Sequence, residues 1–336
     1  QNNNWTQLGS DINGILWGSD YFGDSLQLSD DGKVLSIGIP DANGAKDPYK
    51  FSSGAIEVYA FNEDTSDWNI IDERIEGERA YERFGSSISI SGNGKRIAVG
   101  AGYRNYSNEI DHPVTRVYEN ISGQWTKIGG DIFQEGDKRG SSLSGRSAAL
   151  SNDGSILVVG LPTEGNSLEG EIRVYKELDG NWNQLGNKIS FSDSRWLGGA
   201  VSISDDGSTV AITNQNGYSP GKGYVRIFKL HDQNWKEFTN NISSESTSDS
   251  RFLNDNTGGF ATFPSIDLSG DGSYLAVGDE EYDIDSNSRS RNGIVKVYKV
   301  HSNTYSTEGK KIRATITYTD SEGFEETVIT STSSIP

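Results

Sequence analysis

The sequence predicts an all-β protein, a β-propeller built from five recognisable four-stranded modules. Two observations carry this prediction. A tight turn of the form S-x-(D/N)-G recurs five times, with its last residue at Gly32, Gly94, Gly154, Gly207 and Gly272. Each copy also ends in an aromatic residue that is followed seven residues later by Ile. One small β unit repeated at a fixed period is the pattern of a propeller rather than of a sandwich.

The first strand of each module alternates apolar and small polar residues around the pairs Leu26/Leu28, Ile88/Ile90, Ala148/Leu150, Val201/Ile203 and Ile266/Leu268. An alternation with a period of two residues is typical of a strand with one buried face. The Asp-Gly or Asn-Gly pair that follows predicts a tight hairpin turn, because such turns favour residues that accept a positive φ.

The second strand is almost entirely apolar in every module, at residues 34–37, 97–99, 156–159, 210–212 and 275–277. A continuous apolar run predicts a strand that is buried on both faces, as in the middle of a blade between two neighbours. A polar loop of variable length then leads to a third strand that carries a β-branched residue followed by an aromatic one, such as Val58-Tyr59.

The fourth segment carries the aromatic and Ile pairs Trp68/Ile75, Trp125/Ile132, Trp182/Ile189, Trp235/Ile242 and Tyr305/Ile312. A sixth pair, Trp5/Ile12, stands alone near the N-terminus. We therefore assign residues 1–313 to the propeller.

Residues 314–336 depart from the module and form a β-rich tail, in which two alternating stretches flank a short turn that contains Gly. Two arrangements are open. The tail can join the Trp5 segment in a composite sixth blade, since a propeller closes when one terminus completes the blade begun by the other. In the other arrangement the ring has five blades and the tail leads to a further domain.

Acidic residues outnumber basic ones, 48 to 30, which gives a formal net charge of −18. Such a charge repels nucleic acid and anionic membranes, so neither is expected as a partner. No apolar run approaches the roughly 18 residues of a membrane span, so direct membrane insertion is not expected either. The chain has no Cys, which excludes disulfides and thiol chemistry. An acidic coat is common in secreted proteins of salty environments, so we expect an extracellular or cell-surface location. Without disulfides, such a location suits a bacterial surface protein.

The stretch F-G-S-S-I-S-I-S-G-N-G between Phe84 and Gly94, the I-A-V-G that ends at Gly100 and the segment from Trp125 to Ile132 resemble FG-GAP-type repeats. Such repeats build the propeller of integrin α-subunits and occur in large secreted bacterial proteins. The resemblance covers about residues 1–313 and implies the propeller fold. It implies little about function, because one fold hosts many activities.

Integrin-type repeats place a calcium loop between the first two strands, but here that connection is shortened to S-x-(D/N)-G. Calcium takes roughly six to eight oxygen ligands, so these turns offer too few. The best remaining metal candidate is the acidic loop with Asp279, Asp283, Asp285 and Asn287. A solvated acidic loop is the alternative, because the Gly and Glu of a calcium loop are missing. No cofactor is expected beyond this candidate calcium.

The sequence offers no catalytic residue by the usual patterns. The three His residues lack metal-ligand spacing, and no G-x-S-x-G motif is present. A propeller glycosidase needs two carboxylates that face the axis, yet the acid at Asp24 is not repeated in the other modules. Trp17 and Trp196 fall outside the repeat register, and we predict that they contact a ligand on one face of the ring.

We therefore expect a non-catalytic binding, adhesion or assembly module of an extracellular surface protein, with a protein or glycan of the cell surface as its partner. Variable loops on a rigid scaffold suit recognition. Two alternatives stay open: a carbohydrate-binding lectin or propeller glycoside hydrolase, and a structural subunit of a filament or coat. Further domains, or copies of the same protein, are additional expected partners.

Overall fold

The computed structural model describes residues 4–14, 20–45, 47, 49–102, 114–133, 147–161, 170–191, 197–214, 224–238, 242–243, 265–279 and 294–300, and the backbone of 315–319 and 325–329. All helical or extended structure in these ranges is β-strand. No helix long and apolar enough to cross a membrane occurs in them. The predicted all-β class is confirmed.

The strands form five antiparallel sheets arranged as a five-bladed β-propeller, as the five modules predict. The first blade runs outward from β1 (Leu26–Leu28) through β2 (Val34–Ile39) and β3 (Ala55–Asn62) to β4 (Asp67–Ile70). A short β5 (Ile75–Glu76) also pairs with the start of β3.

The other blades repeat this order. The second contains β6 (Phe84–Ile90), β7 (Arg96–Ala101), β8 (Val114–Ile121), β9 (Gln124–Lys127) and β10 (Ile132–Phe133). The third contains β11 (Ser147–Leu150), β12 (Ile156–Leu161), β13 (Glu171–Leu178), β14 (Asn181–Gln184) and β15 (Ile189–Ser190). The fourth contains β16 (Val201–Ile203), β17 (Thr209–Asn214), β18 (Tyr224–His231), β19 (Asn234–Glu237) and β20 (Ile242–Ser243).

In the fifth blade the described strands are β21 (Ile266–Leu268), β22 (Tyr274–Asp279) and β23 (Ile294–Lys299). A separate antiparallel hairpin follows, made of β24 (Thr315–Thr319) and β25 (Glu325–Ile329). Two strands therefore form in the tail where two alternating stretches predict them.

The S-x-(D/N)-G turn joins the first two strands of a blade through a small set of hydrogen bonds. In the first blade Asp31 Oδ1 accepts a hydrogen bond from Ser29 Oγ at 2.6 Å and one from the backbone N–H of Lys33 at 3.0 Å. Gly32 has a φ of 68° and donates its N–H to the carbonyl of Ser29. A left-handed φ is costly for a residue with a side chain, which explains why Gly recurs here.

The turns are also joined to one another, by a series of backbone hydrogen bonds that we call the turn belt. The residue after each serine donates its N–H to the carbonyl of its counterpart in the next blade. The successive residues of the belt are Asp30, Gly92, Asn152, Asp205 and Gly270, with bonds of 2.7–3.0 Å. Among the described residues no backbone hydrogen bond joins Gly270 to Asp30, so the belt is open between the fifth and first blades.

The hydrophobic core lies between the blades rather than within one sheet. At the first joint, Ile56 and Val58 of β3 pack against Phe84, Val99 and Tyr118 of the second blade. The strands β7, β12 and β17 are buried along almost their whole length. This agrees with the continuous apolar runs of the second strands, which both neighbouring blades cover.

The outer ends of the blades are joined by tryptophans, whose indole N–H donates to a carbonyl of the preceding segment. The pairs are Trp68 with Leu8, Trp182 with Ile128, and Trp235 with Leu185, at 2.9–3.2 Å. Each acceptor lies three residues after the tryptophan of its own segment. Leu8 lies three residues after Trp5, so the N-terminal segment occupies the position of an outer strand that precedes the first blade.

The first strand of the first blade differs from its prediction. The alternation predicts one buried face, but both Leu26 and Leu28 are exposed. The physical reason is that burial at these positions comes from the neighbouring blade and not from the strand's own sheet. The sequence pattern identifies the apolar face but not the presence of a neighbour against it.

Candidate acid–base site on the loop face

The loops between second and third strands emerge on the same side of the ring as the connections between blades. We call this side the loop face. In the first two blades it carries two clusters of charged side chains. The Asp20 cluster contains Asp20, Asp41, Arg74 and Arg83. The Arg116 cluster contains Glu78, Glu82, Arg116, Lys127 and Asp131.

Asp20 and Glu82 hold equivalent places in the repeat, since each stands two residues before the Phe-Gly pair that leads into a first strand. The residue after each of them, Tyr21 or Arg83, has a φ of 56°. A positive φ is uncommon outside Gly and places the chain in a sharp corner. Both corners therefore bring an acid to the loop face at the entrance of a blade.

Asp41 follows the end of β2 and is held by an arginine from the next connection. Arg83 Nη1 lies 3.0 Å from Asp41 Oδ1 and 3.2 Å from Asp41 Oδ2, and both side chains are largely buried. The backbone N–H of Asp41 donates to the carbonyl of Asp20 at 3.3 Å. The two aspartates are thus fixed beside each other, with Asp41 paired to a cation.

Arg74 lies just before β5 and is also fixed in place. Its Nε is 3.0 Å from Glu76 Oε1, and its Nη2 donates to the carbonyl of Asn43 at 2.7 Å. Glu76 Oε1 also accepts the backbone N–H of Ala45 at 2.9 Å. These contacts tie the loop after β2 to the strand β5, and they hold a positive charge near Asp20.

The pKa of Asp20 is raised above its ordinary value. Partial burial is the main cause, the charge of Asp41 adds to it, and the Arg74 guanidinium opposes it. A carboxyl with a raised pKa keeps its proton closer to neutral pH than an exposed Asp does. Such a group, beside a second carboxylate and a cation, is suited to accept and donate protons.

The Arg116 cluster is built around a guanidinium that is completely buried. Arg116 donates to both oxygens of Asp131, at 3.0 and 3.1 Å, and its Nη2 lies 2.7 Å from Glu82 Oε1. Burial disfavours the charged guanidinium, but the hydrogen bonds of Asp131 and the charge of Glu82 outweigh it and raise the pKa of Arg116. Lys127 also pairs with Asp131. This cluster clamps the second blade to the connection that leads into it.

Of the residues that the sequence singles out for a ligand or a metal, only the backbone of Asp279 is described. Trp17, Trp196, Asp283, Asp285 and Asn287 are outside the described residues, and the ligand and metal assignments made for them stay predictions. Asp279 is the last residue of β22, and only its backbone is described. Within the described residues, no group of three His, Cys, Asp or Glu side chains is arranged to hold a metal ion.

Sequence reasoning missed the Asp20 cluster. The acid at the first residue of the inner strand, Asp24, is not part of the cluster, which is centred on the corner four residues earlier. One signal was available, namely the shared spacing of Asp20 and Glu82 to the following Phe-Gly pair. The partners Arg74 and Arg83 come from another blade connection, and no local pattern marks them.

No protein-family model matches the chain, and no curated protein matches it significantly. Solved structures do match. Hydrazine synthase of Kuenenia stuttgartiensis is 12% identical with a TM-score of 0.48, over 96% of this chain and 70% of that chain. The periplasmic gluconolactonase of Pseudomonas aeruginosa is 14% identical with a TM-score of 0.42, over 91% and 84%. A Bacteroides uniformis protein assigned as a 6-phosphogluconolactonase is 14% identical with a TM-score of 0.44, over 91% and 83%.

These comparisons correct one prediction. The sequence leads us to expect a non-catalytic adhesion or assembly module and no enzyme. That expectation is wrong by this comparison, because the matching propellers carry the names of enzymes. The likeness itself concerns the fold alone. The motifs of catalytic sites considered in the sequence are contiguous in the chain, whereas the loop face gathers its carboxyl and guanidinium groups from separate connections.

Proposed function

We propose that this propeller is a hydrolase that uses acid–base chemistry at the Asp20 cluster. The observation that carries the proposal is Asp20 itself, a partly buried carboxyl with a raised pKa beside the Asp41–Arg83 pair and Arg74. Two neighbouring carboxyl groups in unequal environments can divide the roles of acid and base between them.

In this proposal the substrate is an ester or lactone whose carbonyl carbon is attacked by water. The ionised Asp20 accepts one proton from the water as its oxygen bonds to that carbon. Asp20 then returns the proton to the leaving oxygen as the C–O bond breaks. The positive charge of Arg74 stabilises the negative charge that develops on the carbonyl oxygen.

The experiment measures hydrolysis of a panel of sugar lactones and simple esters, the lactones being the class named for the gluconolactonases above. We expect Asp20→Asn to lower kcat/KM by about 10²-fold or more, as loss of a general acid or base does. Asp64→Asn, in the exposed turn between β3 and β4 on the opposite side of the ring, is the matched control and should leave the rate unchanged.

The pH profile separates a chemical role from a structural one. Asp20→Asn should remove the acidic limb of the kcat/KM profile, because the titrating group is gone. Wild-type rates in Asp20→Asn, or no turnover of any member of the panel by the wild-type protein, would contradict the proposal.

We also propose that the modules are FG-GAP-type repeats of an extracellular protein. Support for the repeat type comes from the Phe84-Gly85 pair, in which Gly85 has a φ of 92° and Phe84 fills the first joint. Support for the location comes from the net charge of −18, which gives the chain an acidic coat of the kind common in secreted proteins. Cell fractionation of the native host tests the location, and recovery of the protein only in the cytosol would contradict it.

A further inference from the structure

The first blade has an apolar face that is exposed where its counterparts are buried. Leu28 of β1 keeps 49% of its surface exposed. The residues at the same position in the other blades, Ile90, Leu150, Ile203 and Leu268, keep 7–8%. Because all five hold one register position, the difference comes from the neighbour that covers them and not from their own sheet.

The fifth blade shows the same contrast on its opposite side. Val295 and Val297 of β23 are 73% and 57% exposed. Val225 and Ile227, at the same positions of β18, are each 1% exposed and lie in one apolar cluster with Leu275 of the next blade. The strand β23 therefore carries a joint-forming face that no described residue buries.

The turn belt ends at these two blades. Among the described residues, the N–H of Gly270 and the carbonyl of Asp30 make no hydrogen bond of the belt. A further turn between these blades would accept from the first group and donate to the second. The open belt and the two exposed faces thus mark the same gap in the ring.

The N-terminal segment already lies at this gap. The carbonyl of Leu8 accepts a hydrogen bond from the indole N–H of Trp68. At the joints of Trp182 and Trp235 the equivalent hydrogen bond is accepted by a carbonyl in the outer segment of the preceding blade. The N–H of Ser10 donates to Asp67 Oδ1 at 2.8 Å, which fixes the segment further. The N-terminal segment therefore holds the place of an outer strand before the first blade, although residues 4–14 form no regular strand, and no described residue supplies the inner strands beside it.

We propose that the hairpin of β24 and β25 supplies these inner strands and forms, with the N-terminal segment around Leu8, a composite closing sheet between the fifth and first blades. The hairpin follows the fifth blade in the chain, and β24 lies alongside β23. Each of its strands has five residues, close to the six of β2. Its register pairs two apolar residues, Ile316 and Val328.

The hairpin is a better occupant than a second copy of the chain. It is tethered to β23 by the residues that follow this strand, so its local concentration at the gap is high at any protein concentration. Exposed apolar faces and sheet edges otherwise favour association between molecules. A composite sheet would cover both exposed faces within one chain.

The chain contains no Cys, so a single cysteine reports the accessibility of one position without background. The experiment measures the rate at which a thiol reagent modifies Leu28→Cys in the full chain. Leu150→Cys is the buried control and Leu178→Cys, at a residue that is 51% exposed, is the exposed control. We expect Leu28→Cys to react as slowly as Leu150→Cys. Adding Ile316→Asp and Val328→Asp should raise its rate to that of Leu178→Cys.

Three results would overturn the proposal. Fast reaction of Leu28→Cys in the otherwise unchanged chain would mean that its face is uncovered. Slow reaction that the two aspartates do not alter would mean that the first and fifth blades cover each other directly. Slow reaction that accelerates on dilution would mean that a second copy covers the face.

A second measurement avoids destabilising changes. A short bismaleimide should cross-link Leu28→Cys to Val328→Cys within one chain, visible as a monomer of altered mobility. Leu28→Cys with Leu178→Cys is the matched pair that should not cross-link within a chain. Absence of the intramolecular product from the first pair would overturn the proposal independently of the labelling rates.

Discussion

At the scale of single residues, the turn carboxylates determine both a backbone shape and a response to pH. Hydrogen bonds from the Ser269 and Ser273 hydroxyls lower the pKa of Asp271 to about 2. The Ser29 hydroxyl and the N–H of Lys33 lower the pKa of Asp31 in the same way. A carboxyl whose pKa is lower in the folded chain adds stability above its unfolded pKa and loses it as the pH falls towards its folded pKa.

We expect Asp271→Asn to flatten the acid side of the stability profile between the ordinary pKa of 3.8 and about 2, because an amide gains no proton there. The turn itself should survive, since Asn93 forms it in the second blade by accepting from Ser91 and from the N–H of Lys95. Thermal unfolding followed by circular dichroism across this pH range measures the effect. Asp64→Asn is the control, and equal acid sensitivity of Asp271→Asn and wild type would refute the expectation.

The turns could be predicted from the sequence, because every partner of Asp31 lies within two residues of it. The Asp20 cluster could not be predicted in the same way. Arg83 is 42 residues from Asp41, and the raised pKa of Asp20 depends on burial that only the folded chain provides. Local hydrogen-bond chemistry can be recognised in a sequence, whereas a site assembled from separate connections has no local pattern.

At the scale of the elements, the joints from the first to the fourth blade combine apolar packing with a buried arginine or a tryptophan hydrogen bond. Arg116 of β8 pairs with Glu82 and Asp131 at the second blade. Arg226 of β18 holds the same place in its strand, and its guanidinium lies 3.9 Å from the centre of the Phe191 ring. The arginine position is shared by three blades, but its partners differ, so the joints are not interchangeable.

Arg116→Leu should lower the free energy of unfolding by about 3–5 kcal/mol, because it leaves the buried carboxylate of Glu82 without its cation and Asp131 with Lys127 alone. Lys33→Leu is the control, since the exposed Lys33–Glu63 pair is screened by solvent and contributes little to stability. Urea denaturation of both variants measures the difference. A loss for Arg116→Leu no larger than that for Lys33→Leu would contradict the role of the cluster as a clamp.

Trp235→Phe should destabilise the chain more than Trp125→Phe does. The Trp235 indole N–H donates to the carbonyl of Leu185 at 2.9 Å, and loss of such a bond costs about 1 kcal/mol beyond the change in packing. The Trp125 indole N–H is buried with no hydrogen-bond partner in the described structure, so its removal also relieves an unsatisfied donor. Thermal melts of the two variants compare them, and an equal or reversed order would disprove the assignment of the tryptophan joint.

At the scale of the whole molecule, the propeller is a series of similar units in which each blade contacts its neighbours. Stability in such an array depends on the individual units and on the joints between them. The repeats in the sequence predict the number of blades and the faces that pack, but they do not predict which faces find a neighbour. Leu28 and Ile90 hold one position in the repeat, and their environments differ because only one of them has a blade against it.

The turn belt gives each joint its own reporter of hydrogen exchange. The N–H of Gly92 is bonded to Asn152 of the following blade, so it exchanges with solvent only when the second and third blades separate or unfold. The amides of Asp30, Asn152 and Asp205 report in the same way on the other three joints. Their four exchange rates, compared with one another, would show whether the ring opens at a single weak joint or as one cooperative unit.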